Sequence, residues 1–579
     1  MRPMLTILML ISFFCGIGQN DSLKSQRRIP TVRNDYPREY FRNPLGIPMK
    51  LAGNFGELRP NHYHMGIDIK TNQQENLPVY AAAEGYVSRI KIEPAGFGRA
   101  IYITHPNGYT TLYAHLNNFA AKIDAYAKQR QYALESWKVQ IDVPPYLFPV
   151  KKGEFIAFSG STGGSQAPHV HFEIRRTEDD VNVNPLLFGF PLADNVRPRI
   201  HRLAVYDRTR SVYEQSPKLF PLKSVTSSTY TTSPGIIKVN SPLVSLAIGA
   251  YDSHTGSSNM NGIFEARLSV NGIEEESFRM NNISYNTTRY VNAHVDYRCK
   301  ALGGPYLQHL SELPGYLNSI YSNGRGHGVL DISDGDIYDI VIDVTDVMGN
   351  LAELKTMIRY DAGKVLPAQA EGKMFYPLML DGYEAENCEF YIGEKCLYDS
   401  VHIKYSNVAT GDPAVISDVH VIGAPYIPLQ DSFLIRIRPL VTATEEDRKL
   451  TVMRWRAGGK SGVQKVKWQF EWAYARFRDF GNFELVVDDE PPVIVPLGFA
   501  DGSNLAKAVR IVFNIKDNLK TIKNVRTELD GKWLRFTNDK GLSFIYNIDE
   551  KCPPGKHVLK ISAEDEAGNK TTGVYNFSR

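Results

Sequence analysis

Cysteine is nearly absent: the chain has 5 in 579 residues. Cys299, Cys388, Cys396 and Cys552 remain once Cys15 in the N-terminal apolar run is set aside, and none lies near a histidine cluster in sequence. That argues against thiolate metal ligands. Cys388 and Cys396 flank a hairpin and can pair, although four cysteines allow three pairings. Net charge is also lacking, because 66 Lys and Arg stand against 63 Asp and Glu. A balance of +3 gives no support to a nucleic-acid-binding face. The one apolar run, Leu5 to Phe14, is too short to span a bilayer. No His-Glu-x-x-His string supplies a thermolysin-like base, and no Gly-x-Ser-x-Gly elbow surrounds Ser161. Gly160-Ser-Thr-Gly-Gly-Ser lacks the lysine of a P-loop and opens no helix, so it reads as a tight backbone turn.

What is present is a set of short histidine strings between Asn61 and Ile174. They are His64-Met-Gly-Ile-Asp68, Leu112-Tyr-Ala-His115-Leu116 and Pro168-His-Val-His-Phe-Glu-Ile174. In the third, His169, His171 and Glu173 alternate with Val170, Phe172 and Ile174, the period of a half-buried strand. His115 falls on the second arm of a hairpin whose turn is Pro106-Asn107-Gly108. Gly66 and Pro60 argue against a helix around His64 and Asp68. His64, Asp68 and one imidazole of His169-Val-His171 would make three ligands and leave a position for water, the pattern of a catalytic zinc. With 14 histidines in the chain, each string alone is weak; the three in order are specific.

Phe55-Gly-Glu-Leu-Arg59 through Ile174 resembles the M23 (LytM, lysostaphin-like) metallopeptidases. The matching strings are His64-Met-Gly-Ile-Asp68, Ala81-Ala-Ala-Glu-Gly-Tyr-Val87, Tyr113-Ala-His-Leu116, Val150-Lys-Lys-Gly-Glu154 and Gly160 to Ile174. The resemblance covers roughly a quarter of the chain. It implies one Zn2+ held by His64, Asp68 and His171, with His115 and His169 as catalytic histidines. It also implies a small antiparallel β domain with the site in a groove, acting on a peptide bond of peptidoglycan stem or cross-link peptides. Zinc acidifies its bound water, and an imidazole can take the proton or bind the oxyanion. Arg59 is a candidate for a substrate carboxylate, with hydration of the groove rim as its default. Glu173 is a candidate to orient a ligand from behind, with an exposed strand carboxylate as its default. Some relatives of the family lack ligands and activate other wall hydrolases instead. That gives the alternative of a non-catalytic activator or wall-binding adaptor.

The rest of the chain reads as mainly β. Residues 1–19 have the pattern of a signal peptide, which implies export to the periplasm or cell envelope. Phe14 before Cys15 disfavours lipoprotein anchoring. Residues 20–45 form a polar arm and 46–192 the peptidase domain. Its insert, 117–149, has Phe119, Ile123, Tyr126, Ala133, Leu134 and Trp137 near helical spacing and is expected to carry one amphipathic helix that walls the groove or packs on the β core. A β-sandwich is expected at 197–362, a β-rich segment that could be another at 363–488, and an immunoglobulin-like sandwich at 491–579. Two of these close on the same turn, Asp346-Val-Met-Gly-Asn350 and Asp565-Glu-Ala-Gly-Asn569. These sandwiches offer surfaces for an envelope protein partner. No nucleic acid partner and no transmembrane segment are expected.

Overall fold

The structure is a computed structural model that describes residues 36–317, 320–363, 370–541 and 543–579. The expected signal peptide, Cys15 and most of the arm lie outside the described residues. Among the described residues no helix is long and apolar enough to cross a membrane. The chain is mainly β.

The first large sheet runs Leu51–Gly53, Ile67–Lys70, His169–Arg176, Tyr109–Ala114, Arg99–Thr104, Gly85–Ile92, Val139–Asp142. Its central strands alternate: Ile67, Ile69, Ile101, Ile103, Val170, Phe172 and Ile174 are buried on one face, and Asp68, His171 and Glu173 on the other are buried too. A three-stranded sheet of Pro78–Tyr80, Phe155–Ser159 and Leu116–Phe119 lies off it. The Asn107-Gly108 turn forms as its residues demand, with Gly108 at φ 84° and Asn107 Oδ1 accepting from Tyr109 N at 3.2 Å. The sequence-expected helix of the insert covers only Ala121–Ala133. The insert then extends as Val139–Asp142, an edge strand against Gly85–Ile92. Leu134, counted with the apolar face, is exposed, whereas Ile123 and Ala127 are buried.

The next region has strands from Arg199–Asp207 to Leu351–Tyr360. It is stitched directly onto the first sheet, since Asn182–Val183 pairs with Asn282–Ile283. The third region has two five-stranded sheets packed around Phe390, Phe433, Phe480 and Phe483. These three regions share one continuous apolar core. The last region has its own core of Ile511, Phe513, Tyr546, Leu559, Ile561 and Phe577. All four described cysteines are free thiols, so Cys388 and Cys396 are not joined.

Candidate functional site

The register of the first sheet builds the site. His171 lies opposite both Asp68 and Ala114, and directly opposed residues of antiparallel strands project to the same face. His169 and Glu173, two residues either way, share that face. His115 follows Ala114 and ends its strand at φ 60°. His64 sits in the turn before Ile67–Lys70. Gly66 makes that turn possible: a Cβ there would lie 2.4 Å from Phe172 O and 2.8 Å from Glu173 Cγ.

Three atoms converge. His64 Nε2 is 3.0 Å from Asp68 Oδ1 and 3.0 Å from His171 Nδ1, and His171 Nδ1 is 2.9 Å from Asp68 Oδ1. All three residues are buried. The opposite ring nitrogens are occupied. His64 Nδ1 donates to Asn54 O at 2.7 Å, which leaves Nε2 with a lone pair, because a carbonyl only accepts. His171 Nε2 donates to Glu173 Oε1 at 2.9 Å, which leaves Nδ1 with a lone pair. Two lone pairs and a carboxylate oxygen thus face one another in a buried place. A cation at their centre resolves this, and points about 3 Å apart can each lie the roughly 2.0–2.2 Å from one ion that zinc ligands need.

The electrostatics agree. Burial alone lowers the His171 pKa, but hydrogen bonds to Asp68 and Glu173 outweigh it and push it up to about 9. Burial pushes His64 down to about 4. Burial raises Asp68, but the surrounding histidines, His64 first, hold it well below the carboxylate range. The site therefore favours positive charge at its centre: a proton on His171 Nδ1 supplies it when no ion is bound, and a cation would take the place of that proton.

The other two histidines stand beside this triad. His115 Nδ1 donates to Thr162 O at 2.9 Å, and His169 Nδ1 donates to Ala167 O at 2.8 Å. Both rings thereby present Nε2. They are 4.7 Å apart between centroids, and His169 Nε2 is 3.4 Å from Asp68 Oδ1. Burial, with the neighbouring His171 and His169, pushes His115 down to about 3, so its imidazole is neutral at physiological pH. Thr162 is fixed in turn by the glycine loop. Gly163 adopts φ +66° and packs against Gly98 so closely that a Cβ would lie 2.2 Å from Gly98 N.

Two expectations change. Glu173 is not an exposed strand carboxylate but fully buried. It holds His171, accepts from Tyr285 OH at 2.6 Å, and pairs with Arg175 at 2.6 Å. Burial would raise Glu173, but Arg175 and then His171 hold it at about 2. Arg59, with its side chain 32% exposed, already has a carboxylate within the protein: its Nη2 donates to Asp68 Oδ2 at 2.6 Å. That leaves Oδ1 as the converging oxygen. Asn54, Thr162, Arg175 and Tyr285 escape a reading of the sequence. Asn54 and Thr162 act through backbone carbonyls, which have no residue signature, and Tyr285 arrives from another region.

Residues 62–132 match the peptidase family M23, and residues 377–488 match the Zu5-like domain. Over 139 residues the chain is 32% identical to an uncharacterized metalloprotease of Haemophilus influenzae, covering 24% of this chain and 22% of that one. Over 119 residues it is 37% identical to the DD-carboxypeptidase/endopeptidase Mpg of Neisseria meningitidis serogroup B, covering 21% of each. Over 111 residues it is 31% identical to the peptidoglycan DD-endopeptidase ShyB of Vibrio cholerae, covering 19% of this chain and 20% of that one. The chain thus spans about a fifth of the length of these relatives.

Proposed function

We propose, for a chain that carries an M23-type peptidase domain, that it is an exported zinc-dependent endopeptidase cleaving peptide bonds of peptidoglycan stem or cross-link peptides. The observation that carries this is the buried triangle of His64 Nε2, Asp68 Oδ1 and His171 Nδ1, with both outer ring nitrogens already engaged. These three residues would hold the ion. Bound there, Zn2+ supplies Lewis acidity toward a scissile carbonyl and acidifies water.

The chain's own groups do the rest. His115 is neutral, and its tautomer is fixed by Thr162 O. Its Nε2 carries the ring's lone pair and is the atom that would accept a proton. His169 is fixed likewise by Ala167 O. Its Nε2 edge beside Asp68 can hydrogen-bond the reacting groups once it carries a proton. Glu173 fixes the ring of His171 and makes its Nδ1 a better donor of electrons, as carboxylates behind metal-bound histidines do. Arg59 aligns the Asp68 carboxylate. The DD-endopeptidase and DD-carboxypeptidase names of two relatives support a cross-link or stem peptide as substrate.

The test is metal content and release of peptides from purified sacculi by the purified protein, alongside His64→Ala and Asp68→Ala. We expect about one zinc per chain and soluble peptide products, with both lost in each variant. Sacculi left intact by the zinc-loaded protein would reject the peptidase. If that same protein stimulated an added wall hydrolase, the activator reading would replace it.

A further inference from the structure

A second cluster of metal-ligating side chains lies at the junction of the first two regions, apart from the histidine site. Asp194, Asp252 and His254 bring potential ligand atoms within 4.8 Å of one another. The Asp346 carboxylate is close enough to act electrostatically on Asp252. All are buried: Asp252 is 2% exposed, His254 3% and Asp346 3%, and the Asp194 side chain is 1% exposed.

The unusual feature is what faces Asp252. It pairs with Asn261 across an antiparallel bridge, exchanging both backbone hydrogen bonds at 2.9 and 2.8 Å. Opposed residues of such a pair project to one face. Asp252 and Asn261 therefore present their side chains to the same face, and no protein group donates to either Oδ1. Asn261 is itself 3% exposed. Its amide nitrogen is turned away, donating to Asn259 O at 3.4 Å. His254 donates from Nδ1 to Asp194 Oδ2 at 3.0 Å, and its Nε2 is likewise without a protein partner. Buried acceptors are costly to leave unmet.

The last region supplies an internal control. Its turn, Asp565 to Asn569, repeats Asp346 to Asn350. Each Asn donates to its own Asp, at 2.7 and 2.9 Å, and to the carbonyl of a linker aspartate, Asp194 O at 3.3 Å and Asp488 O at 2.7 Å. Asp517 follows its strand as Asp252 does. There, two of the acids are answered by protein groups, whereas Asp517 Oδ1, like Asp252 Oδ1, has no protein partner. Asn518 Nδ2 donates to Asp488 Oδ1 at 2.8 Å, and Lys465, held on Ala567 O at 2.6 Å, carries its charge beside Asp565 and Asp488. The first junction has Ser253 and His254 where the last has Asn518 and Leu519.

We propose that Asp194, Asp252 and Asn261, with Asp346 and His254 around them, bind one divalent cation of the oxygen-preferring class: Ca2+, Mn2+ or Mg2+. Carboxylate and amide oxygens are the donors such ions take. The ion braces the segment from Asp252 to Gly262. Gly262 N donates to Asn54 Oδ1 at 2.9 Å, and Asn54 Nδ2 donates to Gly262 O at 2.7 Å. Asn54 O in turn holds His64. The junction ion thus steadies the peptide that orients one of the histidines of the active-site triangle.

The test uses the full zinc-loaded protein, stripped of other ions, titrated separately with Ca2+, Mn2+ and Mg2+ by calorimetry and by thermal unfolding. One further ion per chain and a rise in Tm are expected with at least one of the three. Asp252→Asn should weaken that binding by more than about 10-fold, and Asp517→Asn at the last junction should leave it unchanged. Asn261→Asp adds a ligand charge: the variant should bind the ion more tightly and, without the ion, melt lower than the parent. No binding at millimolar concentration, equal binding by Asp252→Asn, or a site filled by Zn2+ alone would overturn the proposal. An Asn261→Asp protein no less stable than the parent without ions would also overturn it, since a proton on Asp252 would then neutralise the cluster.

Discussion

The two sandwiches that touch the histidine site do so by different physics. The one from Arg199 to Tyr360 is fused to it. The strands Asn182–Val183 and Asn282–Ile283 pair, and Met280 fills the space where Gly56 lacks a side chain. Thr288 Oγ1 accepts from Tyr63 N at 2.9 Å, and Tyr285 reaches Glu173. The last sandwich, with its separate core, meets the same domain mainly through charge. Arg99 forks onto Asp539 at 3.1 and 3.2 Å, and Lys128 pairs with Asp549 at 2.8 Å. Lys540 donates to Ser165 O at 2.8 Å, and Gly163 N donates to Asp539 O at 3.1 Å. The fused sandwich backs His64 and His171, the residues proposed as ligands. The charged one backs the glycine loop whose Thr162 carbonyl fixes His115. The proposed ligand positions are therefore held by strand pairing, packing and part-buried hydrogen bonds. The position of the neutral histidine depends on contacts that salt can weaken.

Four substitutions would break or sharpen that division. The largest effect is expected from His115→Ala: the metal stays and kcat falls about 10²–10⁴-fold, the usual worth of a positioned base. Zinc analysis beside single-turnover cleavage reads both. Loss of metal in this variant would put His115 among the ligands and erase the division.

Glu173→Gln comes next. It keeps the shape but removes the charge behind His171, so zinc affinity should fall about 10–100-fold. Turnover at saturating zinc should change far less, which a competition titration with a chelator separates. On the loop side, Gly163→Ala forces a side chain into a left-handed backbone and against Gly98 N. A stability loss of about 1–3 kcal/mol is expected from such strain, read as a lower Cm in urea with metal affinity retained. The smallest effect belongs to Asp539→Ala. Arg99 and Asp539 are partly exposed, at 12% and 29%, so the pair contributes about 0.5–1 kcal/mol at most. The variant should show a few-fold drop in kcat at low ionic strength that vanishes at high salt. An equal loss at both salts would show that the contact works by packing instead.

Local pattern made much of the first domain legible. The alternation in His169 to Ile174 and the Asn107-Gly108 turn are short-range signals, and the strands formed where they pointed. Register was not legible: nothing within the three histidine strings says that His171 lies opposite Asp68. Glu173 illustrates the limit. Its spacing placed it on the histidine face, but its burial comes from Arg175 and from Tyr285, 112 residues away in sequence. The helical periodicity of the insert extended past Ala133 because Leu134 and Trp137 fitted it. The chain instead turns at Glu135, at φ 46°, to add an edge strand.

The pairing of Asn182–Val183 with Asn282–Ile283 has a practical consequence for anyone who wants a smaller fragment. A fragment trimmed at about residue 192 would carry a raw strand edge at Asn182–Val183 and lose the tyrosine behind Glu173. It should aggregate, and it should hold its ion poorly. The far C-terminal module has its own core, so a cut at Asp489-Glu-Pro-Pro492 opens no strand edge of the first sheet, but it removes the Asp539 and Lys540 contacts to the glycine loop.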